Sequence, residues 1–195
     1  MRTIGTIARL QIQRSSLKTG DKPDRVYDPG PLLTVSHLAV TPDGVLGAGP
    51  DGGWLVDVHH RAHPQTKNED GLHGVSVGFT SHYAAMRDHF GDRIVLGCAG
   101  ENIIVATDRS FTYEDLAGGV AVVATDGREN GERVRLRVLQ VAHPCRPFTG
   151  WALGGRVEAD VLKSHLQFLD GGMRGFYCVG EGAGTVEVGD QVVLL

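Results

Sequence analysis

The sequence predicts a mainly β protein, a barrel or a sandwich, and three observations carry that expectation. Short alternations of apolar and polar residues recur along most of the chain, glycine supplies 28 of the 195 residues, and only two stretches show a helical period. Glycine at about twice its ordinary share marks frequent turns. Many strands with few helices do not fit alternating βαβ units.

In GTIARLQIQR, Ala8, Leu10 and Ile12 fall on one side and Arg9, Gln11 and Gln13 on the other, the period of a half-buried strand. Further β-rich runs lie at 32–40, 54–59, 74–79, 93–96, 102–106, 119–125, 133–142, 174–179 and 186–195. DGRENGE, after the run at 119–125, reads as a hairpin turn, and so does EGAG after FYCV. TSHYAAMRDHFG reads as a helix opened by capping hydroxyls, with Tyr83, Met86 and Phe90 on one face and Gly91 as its stop. RVEADVLKSHLQFLDGG reads as a second helix that gathers Val161, Leu162, His165, Leu166 and Leu169 and ends at Gly171 and Gly172. Both stripes are assigned to core packing. GAGPDGG (47–53) and HPQTKNEDG (63–71) read as polar loops.

The length suits one domain over residues 1–195. A net charge of −4 without a basic run argues against a general nucleic-acid surface. Cys98, Cys145 and Cys178 are odd in number and form no CxxC pair, so a disulfide framework is not expected and a reduced, cytoplasmic setting is. The first residues alternate in polarity and contain no continuous apolar run, so neither a signal peptide nor a membrane span is expected.

Four features carry candidate chemistry. In LQVAHPCRPFTGW, Pro144 and Pro147 cannot donate to a ladder, so the chain leaves its sheet and presents Cys145 on a stiff loop, with His143 and Arg146 as cationic neighbours that favour a thiolate. A small apolar residue in a turn is the competing reading. In VDVHHRAHP, His59, His60 and His63 follow Asp57 closely, which brings zinc into consideration. Adjacent strand residues point to opposite faces, however, and a polar pocket wall or plain loop fits better. In CAGENII, glycines precede Glu101 and Asn102 at the start of a β-run, which reads either as a ligand-facing turn or as a bulge whose polar side chains satisfy loop amides. Arg174 lies near glycines at a strand entrance and could grip an anion bidentately.

In order, TVSHLAVTPDGVLG, VDVH, GVSVGFTSHYAAM, AGENI, VLQVAHPC and MRGFYCVGEGAGTVEVGD resemble the MOSC family, named for the C-terminal domain of molybdenum cofactor sulfurases. The resemblance covers most of the chain and implies a mainly β, barrel-like fold with a few peripheral helices. It places Cys145 where the family has its characteristic cysteine, as a molybdenum ligand or a persulfide-carrying group. It further implies that Glu101, Asn102, Arg146, Arg174 and His59 surround the molybdenum cofactor (molybdopterin), without pyridoxal phosphate. The family's tight Gly-Asp-x-His step is stretched here between Gly47 and Asp57, and the loop after it is rich in histidine.

The function implied is a cofactor-dependent oxidoreductase acting on N-hydroxylated or similar small molecules, or a sulfur carrier. A non-catalytic module that stores or delivers the cofactor is the alternative, and a zinc-dependent hydrolase built on the histidine loop is a weaker one. The chain has no flavin or dinucleotide fingerprint and no iron-sulfur cysteine pattern, so separate electron-transfer or sulfur-donor proteins are expected as partners.

Overall fold

The structure is a computed structural model that describes residues 2–66, 68–125, 131–155 and 157–195. Among the described residues, fourteen strands and four helices follow one another as β1 (Arg2–Gln13), β2 (Lys18–Thr19), β3 (Val26–Tyr27), β4 (Leu32–Val35), β5 (His37–Thr41), β6 (Gly44–Ala48), β7 (Trp54–Val56), β8 (Val75–Phe79), α1 (Thr80–Phe90), β9 (Ile103–Ala106), α2 (Tyr113–Leu116), β10 (Val120–Val123), β11 (Glu132–Val141), α3 (Arg146–Ala152), α4 (Ala159–Leu169), β12 (Phe176–Glu181), β13 (Gly184–Glu187) and β14 (Gln191–Leu194).

The protein is mainly β and its central sheet closes. Strands run in the order β14-β10-β11-β12-β8-β9-β1, and β1 also pairs with β14, so seven strands form a barrel with β4 added along the far end of β1. All pairs in the barrel are antiparallel except β8 with β9, which α1 connects. A second sheet, β13-β5-β6-β7, packs against it, and its Leu38, Val40, Val45 and Val186 share one apolar core with Leu10, Val105 and Phe176 of the barrel. Burying such side chains supplies about 1.5–3 kcal/mol each. A second cluster lies under α1 and α3, where Tyr83 and Met86 meet Ile94 and Phe148.

Several sequence expectations change. The pattern in β1 slips at a bulge between Ile7 and Arg9, which leaves Ala8 exposed; Leu10 and Ile12 stay in the core, and Gln11 and Gln13 on the opposite face are buried as well, under the loop whose Gly97 and Gly100 carbonyls they reach. RIVL (93–96) is not a strand: Ile94 is buried, but the segment has no ladder partner. LLTVSHLAV divides into β4 and β5, which belong to different sheets. EGAG is a crossing between sheets rather than a hairpin, because β12 pairs with β11 and β8 whereas β13 pairs with β5.

The turn in DGRENGE lies largely outside the described residues, although the strands on either side of it pair. Helix α1 has no side-chain cap; the Thr80 hydroxyl donates instead to the Thr107 carbonyl. Helix α4 buries only Leu169 completely and leaves Val161 exposed. Two short helices, α2 and α3, have no counterpart in the helical periods of the sequence. In α2 the Thr112–Asp115 capping box compensates for its length. Helix α3 begins immediately after Cys145, with a proline in its first turn.

Candidate functional site

Strands β11 and β12 are antiparallel neighbours, with Val141 opposite Phe176. The excursion between them carries α3 and α4 and returns to its origin, where the Ala142 N–H donates to the Gly175 carbonyl at 2.8 Å. Cys145 leaves this neck and Arg174 re-enters it, so residues 29 positions apart become neighbours. The Arg174 guanidinium donates through Nη1 to the Cys145 thiol at 3.5 Å and through Nη2 to the Ala99 carbonyl at 2.9 Å. It also lies over the Phe148 ring, 4.2 Å from the centroid. Gly175 permits this approach: at φ +86°, any Cβ there would sit 2.5 Å from the Val77 carbonyl oxygen and 3.0 Å from Glu101 Cγ.

Glu101 and Asn102 enter β9 beside that neck and do different work. Asn102 is wholly occupied. Its Oδ1 accepts from the Ser76 N–H and hydroxyl, and its Nδ2 donates to Asp57 Oδ2 at 3.1 Å and to the Gln11 carbonyl. Asp57, fully buried, also accepts from the Gln13 and His59 backbone amides and from His59 Nδ1 at 3.2 Å. A carboxylate can only accept, so the proton of a neutral His59 sits on Nδ1 and Nε2 remains an acceptor. Glu101 accepts a short hydrogen bond from the Tyr83 hydroxyl on Oε2, whereas Oε1 has no partner.

A cleft of about 210 Å³ opens over this region. Gln13, His59, Ser76, Glu101, Arg174 and Tyr177 line it, with Lys18 and Arg25 from the segment between β1 and β4. The buried Gln11 and Gln13 donate to the Gly97 and Gly100 carbonyls and so hold the loop that forms one wall. Burial disfavours ionisation of Glu101 and raises its pKa, despite the Tyr83 hydrogen bond and Arg174. Burial opposes the charge on Arg174 too, but Cys145, Tyr27, Tyr177 and Glu101 outweigh it and its pKa is raised. The thiols of Cys98 and Cys178 are pushed up to about 12 by burial.

Of the residues singled out in the sequence, Glu101, Arg174, His59 and His143 line the cleft, and Cys145 touches it through Arg174. Asn102 stands behind the wall as a scaffold. Arg146 is exposed and faces a different groove, because it opens α3 on the far side of Cys145. The cation beside the thiol is therefore Arg174, whereas the exposed His143 lies 3.9 Å from Asp170. His60 and His63 each accept a local amide on Nδ1, from Ala62 and Gln65. Among the described residues no three His, Cys, Asp or Glu side chains converge as metal ligands. Two more residues belong to the site: Tyr83, which the helical period assigns to core packing because its hydroxyl is invisible to a periodicity argument, and Asp57, which the sequence places before the histidines but whose burial follows only from the packing of β1 and β9.

A closed, seven-stranded mixed barrel with a cysteine and a buried arginine at the neck of a helical excursion defines a class of protein. The MOSC domain profile matches residues 73–193, more than half of the chain, and the chain belongs to the MOSC domain family. Among solved structures, YuaD from Bacillus subtilis is similar with a TM-score of 0.52 and 13% identity, covering 95% of this chain and 96% of its own. YiiM from Geobacillus stearothermophilus gives 0.51 and 15%, over 100% and 74%; YiiM from Escherichia coli gives 0.53 and 15%, over 100% and 70%. At these identities the likeness speaks for the fold alone. No curated protein matches the chain. Among the described residues no helix is long and apolar enough to cross a membrane.

Proposed function

We propose that the cleft binds the molybdenum cofactor and that Cys145 serves it either as a ligand of the metal or as a sulfur-carrying thiol. The observation that supports this most directly is Arg174. Its guanidinium is buried, joins the thiol to the cleft, and leaves Nε without a partner, a donor poised for an anionic group. The polar groups suit a large, polar, anionic cofactor: an amide from Gln13, cations from Lys18, Arg25 and Arg174, and an imidazole acceptor from His59. When bound, the cofactor supplies a molybdenum centre able to exchange an oxygen atom together with electrons.

The chain's own residues do the rest. Arg174 keeps a positive charge 3.5 Å from the Cys145 sulfur, the atom that either role engages. Asp57 orients His59. Glu101, whose ionisation burial disfavours, keeps one carboxyl oxygen without a partner in the wall of the cleft. An N-hydroxylated substrate, with reducing equivalents from a separate protein, is the oxidoreductase form of this reading.

Cys145→Ser decides its centre. Prepared from a cofactor-competent host, the native protein is expected to carry molybdenum and to reduce a hydroxylamine-type substrate with an added reductant, or to transfer sulfur. The serine variant should lose that chemistry while losing about 1 kcal/mol of stability or less. Full activity in the variant would remove Cys145 from the mechanism. Equal molybdenum in both proteins with turnover in neither would favour storage or delivery of the cofactor.

A further inference from the structure

Beside the cleft runs a second and larger groove, about 420 Å³, between the segment before β3 and the faces of α3 and α4. The two share Arg25 and Tyr27 as a common wall. Its volume is in the range of small-molecule sites, about 300–1,000 Å³. Three arginines from separate segments converge on it: Arg25 before β3, Arg93 after α1, and Arg146 at the start of α3. Among the described residues neither Arg93 nor Arg146 pairs with a carboxylate, and Arg25 Nε donates to the Gly20 carbonyl at 3.2 Å. Asp24 is the one carboxylate among the described residues lining the groove, and it is engaged in an interaction of its own.

The floor is unlike that rim. Trp151 and Leu162 form it, with Gly150, Gly154 and Gly155 leaving it open. Trp151 is braced by Tyr27 at 5.5 Å and Phe148 at 5.7 Å between ring centroids, and Arg93 lies 5.9 Å from its own centroid. A simple inorganic anion would use the arginines and not the floor; a neutral aromatic would use the floor and leave the arginines idle. One ligand chemistry uses both. We propose that this groove binds an aromatic anion, its ring resting against Trp151 and Leu162 and its carboxylate or phosphate held by Arg93 and Arg146.

An aromatic carboxylic acid and a nucleoside monophosphate share that chemistry. The shared wall would bring either one alongside the cleft, as a substrate or as a nucleotide extension of a bound cofactor. The assignment uses groove residues alone, so its test needs neither the cofactor nor Cys145, and its failure would leave the reading of the cleft standing.

The chain has two tryptophans, so Trp54→Phe leaves Trp151 as the only indole reporter. In that background, fluorescence is titrated with benzoate and with adenosine monophosphate at constant ionic strength, and with benzamide and inorganic phosphate as partial ligands. At least one of the two aromatic anions should quench saturably, and both partial ligands should bind about tenfold more weakly or worse. Arg93→Gln with Arg146→Gln, both exposed positions, should weaken the anion by about tenfold while the melting temperature holds. Saturation by benzoate alone identifies a free aromatic acid, and by the nucleotide alone a nucleotide site. The proposal is overturned if neither anion saturates, if benzamide or phosphate binds as tightly, or if the double variant binds unchanged.

Discussion

Glu101 and Asn102 are consecutive, almost equally buried, and belong to opposite kinds of polar network. Asn102 joins Asp57, Ser76 and Gln11 in a set of hydrogen bonds that satisfies its amide and fixes the meeting of β1, β8 and β9. Glu101 belongs with Tyr83, Arg174 and Cys145 to a set that stops short, leaving Glu101 Oε1 and Arg174 Nε without partners. A complete buried network is scaffold, whereas an incomplete one that borders a cleft has kept its capacity for a ligand. On the proposed reading, the boundary between scaffold and binding cleft runs through a single peptide bond.

The largest expected contrast is in thiol reactivity, because Cys145 belongs to the open network while Cys98 and Cys178 are enclosed. In the native protein iodoacetamide should label Cys145 about 100-fold faster or more than the other two, whose thiols stay protonated and shielded. Peptide mapping of a time course reads this, and equal rates would break the contrast.

Next in size is the scaffold itself. Asn102→Ala leaves the Ser76 amide and a lone pair of Asp57 unpaired, and should cost about 3–4 kcal/mol in urea unfolding. A loss below 1 kcal/mol would mean that water or relaxation replaces those bonds and that the network is not structural.

His82 supplies a pH-dependent measure outside both sets. It is buried against Phe79, accepts the Phe111 amide on Nε2, and has its pKa pushed down to about 4 by burial. As pH falls below 6.5 the unfolded chain takes up a proton that the folded chain refuses until about pH 4. Its contribution is therefore complete above pH 6.5 and declines towards pH 4, by about 3 kcal/mol in all. His82→Gln should flatten that part of the stability profile.

Glu101 should show the opposite slope and the smallest change. Its folded pKa is raised, so as pH rises above 4.5 the unfolded chain releases its proton first and stability falls. Glu101→Gln should remove this slope and leave the protein equally stable or more stable at neutral pH, by about 1 kcal/mol. Loss of stability instead would place Glu101 with Asn102 in the scaffold.

Much of this was legible in the chain. The strand periods, α1 and α4, the glycine stops and the succession of motifs up to the proline-flanked cysteine required only local rules, because side-chain alternation and caps are set within a few residues. The short helix α3 was hidden by the reading of Pro144 and Pro147 as loop signals, although a proline in a first turn is compatible with a helix. Gln11 and Gln13 read as solvent-facing because alternation cannot register the distant loop at Gly97 and Gly100 that covers their face of the strand.

The sequence by itself determined a mainly β chain with Cys145 at a strand exit, since proline and alternation act on the backbone where they stand. Only the tertiary structure decided which cation meets that cysteine. His143 and Arg146 are nearest along the chain, but the step from β11 into α3 turns Arg146 into another groove and leaves His143 exposed. The pairing of β11 with β12 instead delivers Arg174 to the thiol, because a ladder brings together residues that chain order keeps apart.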